Sequence, residues 1–350
     1  MRFWRSAKLM LSLVSLGAGL ASGTAQAESP DCSEVVVGLQ VENDFFSPAF
    51  NDDSDYTNGI RLSFVTPLSD DCVGLGRPAR GLAHWLAPDD TVRTTERVGY
   101  ALGQSMFTPR DTKTTELILD DRPYAAWLYL GVQYQATYEE ADGSATQDTL
   151  VLEAGVVGPS ALGEEAQNAW HELIGVERSN GWHNQLHDEP GLNVSFERKW
   201  RSAEARPFAG SSLFTDVIPF AHVTLGNILT YAGVGATVRI GQELDSDFGP
   251  PRIRPGLPGS EAFRPDGGIA WYLFAGAEGQ AVARNIFLDG NTFRDSHRVD
   301  RNPFVGDLQA GLALLYKSWR MTFTHVIRTE EFKEQDDVDH FGAITLSVRF

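Results

Sequence analysis

Hydrophobic and polar residues alternate along much of this chain, beginning near residue 35. Val35, Val37, Leu39 and Val41 share one face of an extended segment; Val36, Gly38, Gln40 and Glu42 share the other. A period of two marks a strand whose faces meet different surroundings. The pattern recurs at about 58–66, 97–106, 126–137, 147–157, 192–201 and 212–224. It continues at about 229–241, 269–283, 304–316, 319–328 and 341–350. With the first segment these make about twelve strands, an even number, as single-chain bacterial barrels require.

The segment ahead of the strands decides between a barrel and a soluble sandwich, which would show similar alternation. Arg2, Arg5 and Lys8 precede an apolar run from Leu9 to Leu20, and Ala25-Gln26-Ala27 follows. A basic start, a short apolar core and an A-x-A exit form a signal peptide over residues 1–27. The chain then closes on the strand Ala343-Ile344-Thr345-Leu346-Ser347-Val348-Arg349-Phe350, which stops on an aromatic residue. In a membrane only a helix or a closed barrel satisfies every backbone donor and acceptor, and no run of about 18 apolar residues follows the leader. The expected fold is therefore an all-β, up-and-down antiparallel transmembrane barrel of about twelve strands over residues 28–350. Its setting is the bacterial outer membrane, as a single domain and a monomer.

Composition agrees with this and narrows the partners. Glycine, at 34 residues, suits crowded barrel interiors, and 11% aromatics suits interfacial girdles. Loss of three basic leader residues and no acidic one takes the net charge from −18 to −21. Phosphate-backbone binding needs a basic face, so nucleic acid is excluded as a partner. Cys32 and Cys72 flank the first two strands at what would be the same, periplasmic end. A disulfide and two unpaired thiols both remain open.

With both termini periplasmic, the outer loops are about 44–57, 107–125 and 158–191, with shorter ones after residues 224, 283 and 328. The connections 67–96 and 242–268 then fall on the periplasmic side, where turns are usually short. The third outer loop carries a helical pattern from Ser160 to Ile174, with Leu162, Ala166, Ala169, Trp170, Leu173 and Ile174 at helical spacing.

Candidate chemistry gathers at these loops. Val41-Glu42-Asn43-Asp44 and Asp55-Tyr56-Thr57-Asn58-Gly59 bring carboxylate, amide and hydroxyl oxygens to one rim, which suits a hard cation as well as an ordinary polar turn. Asn43 has the parity of Val41, the lipid-facing set, where a polar residue is unexpected. On the loop helix His171 follows Gln167 by four residues, and Glu177 comes six after His171. An imidazole beside a carboxylate can act as a general base on water. His183 and His187 are also four apart but have no third ligand spaced for zinc. Lys113 precedes Asp120-Asp121-Arg122-Pro123-Tyr124-Ala125 and could neutralise a phosphate. No G-x-S-x-G elbow is present, so serine hydrolysis has little support.

Taken in order, Val41-Glu42-Asn43-Asp44, Asp55-Tyr56-Thr57-Asn58-Gly59, Gly158-Pro159, Gln167-Asn168, His171, Ile174-Gly175-Val176-Glu177, Trp182 and Gln185 resemble the outer-membrane lipid A 3′-O-deacylase family. The resemblance implies a barrel that hydrolyses the 3′-acyloxyacyl ester of lipid A, the membrane anchor of lipopolysaccharide, with Ca²⁺ as cofactor. It implies a site between the wall and the loop helix, facing the outer leaflet. By motif, His171 would be the base, and Asn43, Asp44 and Glu177 would hold or orient the metal. Thr57 would support them, and Lys113 would contact a glucosamine phosphate, although its spacing to the following Asp-Arg differs by about two residues. Phe45-Phe46 departs from the family pattern, which bears on substrate preference. Two other readings stay open: an outer-membrane phospholipase with the same histidine–calcium site, and a passive barrel with no catalysis.

Overall fold

The computed structural model describes residues 35–43, 55–67, 93–140, 143–202, 206–207, 212–251, 263 and 268–350. The leader, Cys32, Cys72 and Asp44 lie outside them. Thirteen strands form one antiparallel sheet. They are β1 (Val36–Asn43), β2 (Asp55–Pro67), β3 (Arg93–Thr108), β4 (Ala125–Glu139), β5 (Ala145–Val157) and β6 (Glu189–Arg201). Then come β7 (Arg206–Pro207), β8 (Phe214–Gly226), β9 (Leu229–Gly241), β10 (Ile269–Asn285), β11 (Phe304–Tyr316), β12 (Trp319–Arg328) and β13 (Asp339–Arg349). β7 is a two-residue flank of β8; the other twelve close the barrel, as the alternation predicts. Closure occurs twice over: β1 pairs β13 from Val36↔Arg349 to Asn43↔Gly342, and β6 pairs β8 from Asn193↔Gly226 to Lys199↔Phe220. The sheet thus closes on itself, which is what a lipid solvent demands.

The alternation sorts side chains as expected. On β12, Trp319 and Met321 face out, whereas Arg320, Thr322, Thr324 and Arg328 are buried inside. The bore is filled, not open. At the end opposite the termini, here the loop end, Phe107, Trp127, Tyr129, Tyr231, Val326 and Phe341 meet the loop residues Leu186, Ile228 and Phe287 in one apolar cluster. Nearby, Arg122 bonds Glu331, and Arg328 bonds both Glu331 and Asp307. Arg122 is thus an internal strut of the loop end.

At the terminal end a second apolar cluster joins Val36, Val65, Leu244, Phe263, Tyr272, Phe274 and Leu315. Here the long connection 242–268 finds its physical reason. Its described residues turn into the bore: Asp247 is buried and bonds Arg239, Arg320 and Tyr272, while Arg320 lies over the Phe263 ring. Leu244, Asp247 and Phe263 of this connection thus pack into the terminal mouth of the barrel.

Among the described residues two short helices interrupt the loops: α1 (Gly163–Ile174) and α2 (Ile286–Asp289). The helical pattern expected from Ser160 is split. Pro159–Ala161 forms a 3₁₀ turn, Leu162 adopts a left-handed conformation (φ 59°), and α1 starts after it.

Candidate active site on the outer wall

The outward face of β3–β5 near the loop end is not bare. Met106 and Ala126 lie under Ala161, Tyr124 and Trp182, with Leu128, Val156 and Ala166 packed alongside. The 158–188 loop therefore folds down over the outside of the barrel. Gly163 makes this approach possible. A Cβ there would come within 2.5 Å of the Ala126 Cβ and 2.6 Å of the Trp182 ring. Gln104, outward on β3, donates to the carbonyls of Ala161 (2.6 Å) and Leu162 (3.2 Å) and fixes the helix start to the wall.

The buried stripe of α1 differs from its apolar stripe. Gly163, Gln167 and His171, four residues apart, are buried, whereas Leu162 and Leu173 are exposed. An amide and an imidazole thus occupy the space between helix and barrel, where a polar group costs free energy unless it is partnered or used. Trp182 Nε1–H donates to Gln167 Oε1 at 2.7 Å, which fixes the amide orientation. Gln167 Nε2, buried, has no hydrogen-bond partner among the described residues.

His171 is oriented by the end of its own helix. Gly175 takes a left-handed φ of 79°, which glycine adopts without Cβ strain, and its N–H caps the His171 carbonyl. The chain then reverses, and the carbonyl of Glu177 returns to within 2.6 Å of His171 Nδ1. A carbonyl can only accept, so Nδ1 carries the proton and Nε2 is the basic nitrogen.

The carboxylate of Glu177 points elsewhere. It is exposed and lies 3.9 Å from Lys113 Nζ. Lys113 is brought there by a zipper between two loops: Asn180 N–H donates to Thr112 O, Asn180 Nδ2 to Lys113 O, and Asn184 Nδ2 to Thr115 O. His171, Glu177 and Lys113, far apart in sequence, therefore form one chain of neighbours.

Asn43 and Thr57 lie on the adjoining strands of the wall. Asn43 ends β1 with the outward parity of Val37, Leu39 and Val41, yet it is buried. It pairs with Asn58, also outward-facing and buried, which in turn pairs with Met106 beneath the loop. The register steps from Tyr56↔Phe107 to Asn58↔Met106, so Thr57 is the extra residue of a bulge. Asn58 and Tyr124, which stand in the motifs without a role of their own, and Gln104, which no motif contains, also line this part of the wall. Parity could have found Asn58, an amide in the outward set of Ile60, Leu62 and Phe64.

Among the described residues no cluster of three His, Cys, Asp or Glu side chains suits a metal. Asn43 and Asn58 are paired neighbours on the outward rim, and Asp44 follows Asn43 in sequence. Such an oxygen-only set fits a hard cation such as calcium and not a thiolate- or imidazole-seeking one.

A closed twelve-stranded barrel with a loop helix folded onto its outer wall, and a histidine buried on that helix, is the architecture of an outer-membrane protein. The chain belongs to the family described as outer membrane protein LpxR, whose profile it matches over residues 9–350. Its fold is similar to that of LpxR from Salmonella typhimurium, at 22% identity and a TM-score of 0.70, covering 90% of this chain and 100% of that one. Similarity to the translocator domain of the autotransporter NalP from Neisseria meningitidis is lower: 11% identity and a TM-score of 0.43, covering 99% and 97%. No curated protein sequence matches the chain.

Proposed function

We propose that this protein is an ester hydrolase of lipid A, removing the 3′-acyloxyacyl group at the outer leaflet with His171 as general base. The observation that carries the reading is the bond from His171 Nδ1 to the Glu177 carbonyl, made by a buried histidine on the lipid-facing side of the wall. A base outside the barrel has use only for a substrate that arrives through the membrane. In this reading the loop end is extracellular, so the site opens to the outer leaflet.

His171 Nε2 would take the proton of the attacking water, and the Nδ1–carbonyl bond would stabilise the imidazolium that results. Gln167 Nε2, a buried donor one helical turn away, would bond the ester carbonyl oxygen as negative charge builds on it. Asn43, Asp44 and Glu177 would hold Ca²⁺, with Asn58 beside Asn43 and Thr57 on its bulge supporting them. Bound calcium would supply Lewis-acid polarisation of the ester. Lys113, with its ammonium exposed at the mouth, would meet a glucosamine phosphate. Against a passive pore stand the two apolar clusters that pack the bore at its ends.

The test is mass spectrometry of purified lipid A incubated with detergent-solubilised protein, wild type and His171→Ala, in calcium or in chelator. Release of the 3′-acyloxyacyl mass only by wild type in calcium is the expected result. Release of a glycerophospholipid acyl chain in its place would reassign the enzyme as a phospholipase. No release from either lipid would reject the hydrolase reading.

A further inference from the structure

Over most of its circumference the outward wall is apolar, as at Leu192, Leu225, Val234, Leu273, Leu308 and Leu314. A polar group there finds no hydrogen bond among acyl chains. Yet polar outward side chains sit together on five adjacent strands: His325 on β12, His340 on β13, Asn43 on β1, Asn58 on β2 and Gln104 on β3. The register ties them into a belt. His325 and Asn43 both pair with Gly342, one on either side, and Asn43 pairs with Asn58. Gly342 leaves the position between His325 and Asn43 empty of any side chain. At a strand spacing of about 4.8 Å, His325 lies roughly 10 Å round the wall from Asn43. Gln104 and His340 lie one row to either side, paired with Ile60 and Ile327; apart from Gln104, the row toward the terminal end is apolar: Phe323, Ile344, Val41 and Ile60.

The two histidines face each other. His340 Nδ1 and His325 Nε2 are 3.5 Å apart, and the rings stack with centroids 5.6 Å apart. His325 Nδ1 is buried without a hydrogen-bond partner among the described residues. The exposed aromatics of this sector are Tyr316 and Trp319 at the terminal end and Phe304 at the loop end; an interfacial girdle accounts for such rings but not for an imidazole nitrogen buried beside a second imidazole.

We propose that His325 and His340 bind a phosphate of the substrate's headgroup, on the flank of the site opposite α1. The assignment rests on the hydrolase reading above and extends its substrate surface across β13 and β12. A glucosamine disaccharide phosphorylated at both ends would then be held twice, by Lys113 on the loop flank and by imidazole N–H groups on the strand flank. Even a neutral imidazole keeps one N–H to donate to a phosphate oxygen.

The experiment measures binding in the full-length, detergent-solubilised His171→Ala background, where turnover is stopped. The probes are lipid A with both phosphates, dephosphorylated lipid A and inorganic phosphate. Replacing both histidines by Phe (H325F, H340F) should weaken binding of phosphorylated lipid A about tenfold or more. It should leave the dephosphorylated lipid unaffected. The Gln pair (H325Q, H340Q), which keeps an N–H donor, should recover most of the loss. With His171 restored, the Phe pair should raise KM and spare kcat. Equal binding by all variants, or an equal loss on the dephosphorylated lipid, would overturn the proposal. So would inorganic phosphate binding as tightly as the lipid. If the Phe pair fails to fold by heat-modifiable mobility, H325F alone is read against the same criteria. These binding arms remain readable even if wild type hydrolyses nothing, so the two readings fail separately.

Discussion

Glu177 meets His171 through its main chain and Lys113 through its side chain. The Glu177 carbonyl lies 2.6 Å from His171 Nδ1, and its carboxylate 3.9 Å from Lys113 Nζ. The two contacts divide roles that proximity in sequence would merge. The carbonyl fixes the tautomer and ring plane of the base, whatever side chain residue 177 carries. The carboxylate is left for a cation, either the lysine or a metal.

Substitution should therefore separate the two residues cleanly. His171→Ala is expected to lower kcat by about 10²- to 10⁴-fold, the usual contribution of a positioned base. Glu177→Gln keeps the carbonyl, so its loss should be smaller and should fall mainly on the calcium concentration needed for half-maximal rate. Calcium titrations of initial rate for both variants would check this. A Glu177→Gln enzyme with an unchanged calcium requirement and a shifted pH–rate profile would move the carboxylate's role from the metal to the histidine.

Gln167 offers a second, independent handle. Its Oε1 is held by Trp182 and its Nε2 is a buried donor without a partner among the described residues. An unused buried donor costs about 1–3 kcal/mol, a cost that a substrate oxyanion would offset. Gln167→Leu removes the donor and also strands the Trp182 N–H; Gln167→Glu keeps the acceptor for Trp182 but loses the donor and adds a negative charge. Both should lower kcat by roughly 10²-fold, within the range seen for losing one oxyanion donor, with KM nearly unchanged. A loss in Gln167→Leu alone would mean that Gln167 acts by supporting Trp182.

The barrel was legible in the sequence because alternation is a local signal repeated in every strand. The strand at 229–241 is found at the expected bounds, and that at 58–66 at Asp55–Pro67. The helix was legible in position but not in orientation. Its apolar spacing named Leu162 and Leu173, which are exposed, while Gln167 and His171 turn to the wall. Hydrophobic periodicity finds the face that avoids water. Beside a membrane the apolar face can stay outside, and the buried face can be the functional one. The split of Glu177 into carbonyl and carboxylate roles was not legible either, since it depends on the reversal at Gly175. The long connection 242–268 looked anomalous until Asp247 and Phe263 were seen inside the bore.

The seat of α1 on the wall makes a prediction about Gly163. A Cβ there would meet the Ala126 Cβ, whose position the strand backbone fixes, so the helix must give way. Gly163→Val should tilt α1 outward and misplace His171 by an ångström or so, for which a loss near 10²-fold in kcat is typical. The barrel should stay intact, because α1 takes no part in its strand pairing. Heat-modifiable mobility should match wild type while lipid A turnover falls. Coincident loss of both would show that the helix is needed for folding.

Asp247 governs how the terminal end responds to acid. Burial alone would raise its pKa, but Arg239 and Arg320 overcome this and hold the carboxyl below its ordinary value. A depressed folded-state pKa contributes stability that is present above the unfolded value of about 3.9, and that stability is lost as pH falls through the lower folded value. The protein should therefore weaken below about pH 4, starting from the mouth of the barrel. Asp247→Asn leaves Arg320 without this buried partner and Arg239 with Asp216. Removing one member of a buried ion network costs about 3–5 kcal/mol, so the variant should unfold at lower urea concentration at pH 7. Its further loss between pH 5 and pH 3 should be smaller than that of wild type, because the titrating group is gone. Urea midpoints followed by tryptophan fluorescence at pH 7, 5 and 3 would decide the matter. Parallel acid limbs in the two proteins would assign the acid sensitivity to other carboxylates.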